Sequence, residues 1–214
     1  MQILPNFAVL EGGDGSGTTT QLRLLKRRCV EYGFPLLYDT YEPTGGPIGK
    51  LIRAALQGEP RLRAETLARL FAADRHEHLY GPEGIAERCA RGALVVSDRY
   101  TPSSLAYQGI DCGDELPRLL NASFPAPELL LFFDLAPQAA LKRLESRPRR
   151  EVYEYLDFQI QVRDRYKALI PQYEAWGVRV VSIDAGAPPE EAARQVWSAV
   201  KKMPILELFN TPSY

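Results

Sequence analysis

The chain has 214 residues, 45% of them hydrophobic, 25% charged and 10% aromatic; this fits one α/β domain and excludes disordered, collagenous and membrane-embedded classes. The formal net charge of -1 excludes a bulk electrostatic grip on DNA or RNA, so no nucleic-acid partner is expected and any phosphate binding must be local. Met1 to Asn6 lack a basic region followed by an apolar stretch, and no run approaches the ~18 apolar residues of a membrane span, so a cytoplasmic protein without a membrane partner is expected.

Phe7-Ala8-Val9-Leu10 is a short apolar run that ends in a Gly-rich turn, after which Leu22, Leu24, Leu25 and Val30 recur near helical spacing. That order reads as strand, loop, helix. Gly12-Gly13-Asp14-Gly15-Ser16-Gly17-Thr18-Thr19 fits the G-x-x-x-x-G-K-[ST] phosphate loop except at the lysine, where Thr18 stands. Glycines there let backbone N–H groups converge on phosphate oxygens, and the helix start favours negative charge. Thr19 stands where a hydroxyl joins a magnesium shell, and Asp14 is placed to touch magnesium or an acceptor nucleotide. The bland alternative is a Gly-rich turn with a capping threonine.

Further apolar runs at 35–38, 94–96, 129–133 and 178–183 alternate with helical patterns near 47–57, 62–79, 82–91, 113–122, 137–145, 151–175 and 188–202. Parallel crossovers require such spacing, and a five-stranded parallel sheet flanked by helices is expected. Within the second pattern, Phe71 and Arg75 stand four apart, pairing an aromatic face with a guanidinium able to meet a base. His76 and His78, two apart on the same helix, face different ways and make no metal pair. Asp98-Arg99-Tyr100 follows the strand at 94–96, where open α/β sheets bind ligands, so Arg99 can meet a phosphate. A Thr101-Pro102 helix opening then puts Ser104 and Gln108 on one face.

Arg147-Pro148-Arg149-Arg150 is the one compact charge run; its proline interrupts the preceding helix, which marks a lid at about 146–156. The tail 203–214 carries Ile205, Leu206, Leu208 and Phe209 and is expected to pack on the core. Cys29, Cys89 and Cys112 are odd in number and far apart, which points to reduced, mostly buried thiols.

The loop at 12–19, the string Asp98 to Gln108, Phe71 with Arg75, and Glu42-Pro43 followed by Ile52-Arg53 together resemble the thymidylate kinase family, from residue 7 to about 185. The most specific part is Asp-Arg-Tyr-x-x-Ser-Ser-x-Ala-Tyr-Gln. The resemblance implies a three-layer P-loop NTPase-type fold, a single 1–214 domain with a small arginine-bearing lid, and usually a homodimer. It implies transfer of the γ-phosphoryl group of ATP to dTMP, giving dTDP, with Mg2+ as cofactor. Gly12, Gly13, Asp14, Gly15, Ser16, Gly17, Thr18, Thr19, Thr20 and Arg143 would bind ATP. Thr19, Asp14 and Asp98 would hold the metal.

On the acceptor side the same resemblance would stack Phe71 on thymine, bond Arg75 to a thymine carbonyl, and use Ser104 and Gln108, beside Ser103, for the rest of the base edge. Tyr107 would crowd out a ribose 2′-hydroxyl. Arg53 and Arg99 would hold the acceptor phosphate, and Glu42 would sit near the transferred group. The catalytic set would be Asp14, Arg99, Glu42 and the lid arginines Arg149 and Arg150, with Arg147 beside them.

Three positions depart from the family pattern: Thr18 for the loop lysine, Tyr41 for an arginine before Glu42-Pro43, and Val152 for a lid arginine. Thr18 and Tyr41 remove positive charge from phosphate sites. They leave two other readings, a nucleotide-binding module with little turnover and a kinase of another pyrimidine deoxynucleotide. Taken singly, the site residues also have plain structural readings: Phe71 as core, Arg53 and Arg75 as surface ion pairs, Ser104 and Gln108 as a solvated helix face.

Overall fold

The computed structural model describes residues 1–145, 153 and 155–209. Among them, five parallel strands form one sheet: β1 (Ile3–Gly12), β2 (Leu37–Tyr41), β3 (Leu94–Asp98), β4 (Ala126–Asp134) and β5 (Arg179–Asp184), in the order β2-β3-β1-β4-β5. The central strands are continuous apolar runs because helices cover both faces of a parallel sheet. Along β1, Phe7 and Val9 enter one apolar cluster while Ala8 and Leu10 enter the other. Side-chain alternation along an extended strand therefore feeds two cores from one segment.

The apolar runs locate every strand but misplace their ends. β1 starts at Ile3 because Leu4 pairs with β4 before a register irregularity that precedes Ala8. β2 runs on to Tyr41 rather than stopping at Tyr38, since it lies at a sheet edge, where Asp39 and Tyr41 reach solvent without cost.

The helices α1 (Thr18–Glu31), α9 (Pro189–Val200) and α10 (Pro204–Phe209) cover one face. α1 buries Leu22, Leu25 and Cys29, whereas Val30 is 62% exposed and lies off the predicted stripe. Of the tail, the described residues 203–209 pack on the core through Met203 and Leu206, both fully buried, whereas Leu208 and Phe209 are exposed. α2 (Pro47–Leu56), α3 (Ala64–Tyr80), α4 (Ile85–Ala90), α5 (Thr101–Cys112), α6 (Glu115–Asn121) and α8 (Leu156–Ala175) build the other face. α7 (Pro137–Leu144) follows β4 and packs against α8.

The three cysteines are free. Burial pushes the Cys29 thiol up to about 11 and Cys89 up to about 12, so both stay protonated and unreactive. Cys112 is only half-buried.

Register decides where the site lies. Leu10 pairs with Asp98 across β1 and β3, and Gly12 pairs with Phe133 across β1 and β4. The phosphate loop and the Asp98-Arg99 segment therefore leave the sheet side by side at its carboxyl edge.

Candidate active site

A cleft of about 980 Å³ opens at that edge and brings the two halves of the sequence reading together. It is lined by Gly13, Asp14, Gly15, Ser16, Gly17, Thr18, Thr19 and Thr20 on one side, with Arg143 beside them. Glu42, Arg53, Phe71, Asp98, Arg99, Ser103, Tyr107 and Gln108 line the other. Gly12, Arg75 and Ser104 do not line it. Arg147, Arg149, Arg150 and Val152 lie outside the described residues.

The loop needs its glycines for two separate reasons. Gly15 and Gly17 adopt φ of 81° and 91°, a region that side chains with a Cβ avoid. At Gly12 the reason is space, because a Cβ would lie 2.7 Å from Ser16 Oγ and 2.8 Å from the Phe133 carbonyl oxygen. Gly17 caps α1, and Thr18, 8% exposed, is its first residue. The helix start supplies backbone N–H groups to an anion, but no ammonium stands where a lysine would.

Thr19 Oγ1 donates to Asp98 Oδ2 at 2.6 Å. Asp98 Oδ1 is buried without a hydrogen-bond partner. A hydroxyl and a carboxylate with an unsatisfied oxygen, both hard donors, suit a divalent cation with oxygen ligands.

Arg99 ties the two walls together. Its backbone is held at φ 75°, uncommon for a residue with a Cβ, and its N–H bonds the Leu10 carbonyl at 2.9 Å. Its Nη2 donates to Asp14 Oδ1 at 2.6 Å, and Nη1 to the Gly12 carbonyl at 3.0 Å and Ser103 Oγ at 3.2 Å. The guanidinium also lies over the Tyr107 ring, 5.2 Å from its centroid. Asp14 is fully engaged, since its Oδ2 accepts from Gln159 Nε2 at 2.9 Å.

Beneath Arg99 lies Glu11, fully buried at the end of β1. It accepts from the Tyr100 N–H at 2.7 Å, Ser103 Oγ at 2.6 Å and Tyr166 OH at 2.8 Å. Burial pushes its carboxyl up to about 7, and the hydrogen bond from Ser103, the charge of Arg99 and the bonds from Tyr166 and Tyr100 hold it from going higher.

The acceptor wall is more internally bonded than the sequence suggests. Arg75 is 1% exposed, so its reading as a surface ion pair fails. Its Nε donates to Glu42 Oε2 at 2.9 Å, with Nη2 2.7 Å from the same oxygen. Nη1 donates to Ser104 Oγ at 3.1 Å and to Asn121 Oδ1, and Nη2 to the Tyr100 carbonyl at 3.1 Å. A direct bond from this guanidinium to a base would displace one of those partners. Ser104 and Gln108, each 3% exposed, are no solvated face, although only Gln108 reaches the cleft. Phe71 is partly buried against the core and also lines the cleft, so its core reading does not remove it from the site.

Glu42 has a second partner that the sequence reading missed. His78 Nδ1 lies 3.2 Å from Glu42 Oε1, and His78 Nε2 lies 2.6 Å from Thr40 Oγ1. Asp74 fixes Thr44, two residues on from Glu42, accepting from its N–H and Oγ1, both at 2.7 Å. Tyr41 stands 49% exposed in the cleft wall, with the Arg53 guanidinium carbon 5.2 Å from its ring centroid. The ring thus supports the Arg53 guanidinium from beside it.

Glu11, His78, Asn121, Gln159 and Tyr166 all act in this network without having been predicted to. Spacing did offer a signal for two of them. Glu11 continues the inward-facing series Phe7, Val9, and Gln159 belongs to the buried stripe Gln159, Val162, Tyr166, Leu169, Tyr173 of α8. A polar side chain inside an apolar stripe must find partners.

The thymidylate kinase family profile matches residues 10–196. A Treponema pallidum (strain Nichols) protein named "Putative thymidylate kinase" is 43% identical over 193 residues, covering 86% of this chain and 89% of its own. A thymidylate kinase of Synechococcus sp. (strain JA-3-3Ab) is 39% identical over 201 residues, covering 91% of this chain and 95% of its own. One of Thermomicrobium roseum is 37% identical over 207 residues, covering 92% and 95%.

Proposed function

The chain belongs to the thymidylate kinase family, and from that premise we infer how its residues carry the phosphorylation of dTMP by ATP. An oxygen of the dTMP phosphate attacks the γ-phosphorus, the bond to the β,γ-bridging oxygen breaks, and ADP leaves as dTDP forms. One observation carries the reading: a single cleft joins a phosphate loop to an acceptor wall, with Arg99 bonded to Asp14 and Gly12 at the junction.

The loop N–H groups and the start of α1 receive the ATP phosphates, with Arg143 beside them. Thr19 and Asp98 are the residues placed to hold Mg2+, supported by the unsatisfied Asp98 Oδ1. Bound Mg2+ would neutralise charge developing between the β- and γ-phosphates. Arg53 and Arg99 meet the acceptor phosphate, where guanidinium forks fix charge and orientation for in-line attack. Phe71 and Gln108 face the base, and Tyr107 faces the sugar. Asp14, its carboxylate committed to Arg99 and Gln159, serves the acceptor side.

With Thr18 in the loop, the missing positive charge falls to the lid arginines, Arg149 or Arg150, a reading supported by the arginine cluster of the sequence. A homodimer in the cytoplasm is supported by the family pattern. No helix among the described residues is long and apolar enough to cross a membrane.

The test is ADP formation from ATP and Mg2+ with dTMP, dUMP, dCMP or dGMP as acceptor, beside the Thr18→Lys variant. Turnover of the unmodified protein that is greatest with dTMP is expected. Turnover only in the variant would overturn the reading in favour of a binding module, and preference for another acceptor would reassign the substrate.

A further inference from the structure

We propose that Gln159 is a positioning residue for phosphoryl transfer: its side-chain amide fixes the Asp14 carboxylate, which in turn aims Arg99. The proposal rests on the dTMP kinase reading and assigns a role to a side chain that does not itself line the cleft.

Gln159 is 2% exposed, so its amide must be satisfied within the protein. Its Oε1 accepts from the Asp14 N–H at 3.2 Å, and its Nε2 donates to Asp14 Oδ2 at 2.9 Å and to the Tyr153 carbonyl at 2.9 Å. Both the backbone and the carboxylate of one phosphate-loop residue are thereby gripped by one side chain. Only a group that accepts and donates at once can do this; a carboxylate would repel Asp14, and an aliphatic chain would leave both atoms unpaired. The fit is close, because a Cβ on Gly13 would lie 3.0 Å from Gln159 Oε1.

The grip has a firm base. Tyr166, two turns along α8, bonds Glu11 at 2.8 Å and Ser103 at 2.9 Å. Arg163 donates to both oxygens of Asp134, at 2.6 and 3.1 Å, tying α8 to the end of β4. Tyr153, which receives the third bond of Gln159, stacks on Phe158 with centroids 4.7 Å apart and bonds Asp111 of α5 at 2.7 Å. α8 is thus anchored on both sides of Gln159 while Gln159 holds the loop.

The chain of contacts ends at Arg99, whose Nη1 is also held by the Gly12 carbonyl and Ser103. Asp14 Oδ1 receives Arg99 Nη2 at 2.6 Å. With Oδ2 held by Gln159, the carboxylate cannot turn, and the guanidinium is left one direction in which to face the acceptor phosphate. Misplacing a group by about 1 Å in such an alignment costs about 10²-fold in rate.

The experiment is a double-mutant cycle on the full chain with Gln159→Glu and Asp14→Asn, reading kcat, the KM for dTMP and the melting temperature of each form. Gln159→Glu places two carboxylates together, and kcat is expected to fall about 10- to 100-fold with the KM for dTMP changed less than about threefold. In the Asp14→Asn background the pair regains a donor and an acceptor, and the same change is expected to cost at least about tenfold less. Costs that simply multiply would overturn the proposal, because a role limited to packing α8 moves melting temperature without this coupling. Should Gln159→Glu fail to fold, Gln159→Met keeps the length and loses all three bonds; a fall in kcat of about tenfold or more supports the proposal, and unchanged kcat overturns it. An unmodified protein without dTMP-dependent turnover would instead sink the dTMP kinase reading.

Discussion

Arg75 and Glu42 form a buried ion pair behind the acceptor wall, Nη2 to Oε2 2.7 Å, with side chains 1% and 3% exposed. Removing Glu42 strands the Arg75 guanidinium, whose remaining partners Ser104, Asn121 and the Tyr100 carbonyl are neutral. Glu42→Gln is expected to lower the unfolding free energy by about 3–5 kcal/mol in urea titrations. The double variant Glu42→Gln with Arg75→Met should cost clearly less than the sum of the two single changes. Additive costs would show that the pair is not coupled.

Glu11 links stability to pH. Its carboxyl is raised from an ordinary 4.5 to about 7, chiefly by burial, so the folded state holds a proton that the unfolded state gives up. Between about 4.5 and 7 the folded form binds more protons, and its contribution to stability is lost as pH rises through that window. Glu11→Gln, which keeps the shape and cannot ionise, should flatten the fall in melting temperature across this range. Parallel curves for the two proteins would exclude Glu11 as the source.

The lid arginines are expected to supply the charge that Thr18 lacks. Neutralising Arg149 and Arg150 together should lower kcat by about 10³-fold or more, the scale of an arginine finger. Adding Thr18→Lys to that variant should return part of the loss. An unchanged turnover rate in the doubly neutralised protein would end the idea.

Tyr107 is 5% exposed and held beneath Arg99 by their ring contact. Its size is what should exclude a ribose. Tyr107→Ala is expected to reduce the preference for dTMP over the matching ribonucleotide by up to about 10²-fold in kcat/KM, the scale on which a pocket rejects one added hydroxyl. Equal discrimination in both proteins would move sugar recognition elsewhere.

Element types were legible in the sequence because burial on both faces of a parallel sheet demands uninterrupted apolar runs, and Phe7 to Leu10, Leu94 to Val96 and Leu129 to Phe133 are such runs. Strand ends were less so, since edge strands such as β2 tolerate Asp39 and Thr40. The cleft was legible where local spacing carries the chemistry, as in the loop 12–19 and the string Asp98 to Gln108. It was illegible where partners come from distant segments. Nothing near Glu42 announces His78, 36 positions away, and nothing near Asp14 announces Gln159, 145 positions away.

The sequence by itself determined a Gly-rich turn between a strand and a helix, a polar Asp-Arg-Tyr segment after a second strand, and the absence of an ammonium at position 18, because these depend on residues within a few peptide units of one another. Tertiary structure alone decided that Arg75 is spent on Glu42, Ser104 and Asn121, that Asp14 is shared between Arg99 and Gln159, and that Tyr41 supports Arg53. Side-chain hydrogen bonds and ring contacts reach only a few ångströms, and the fold chooses which residues come that close.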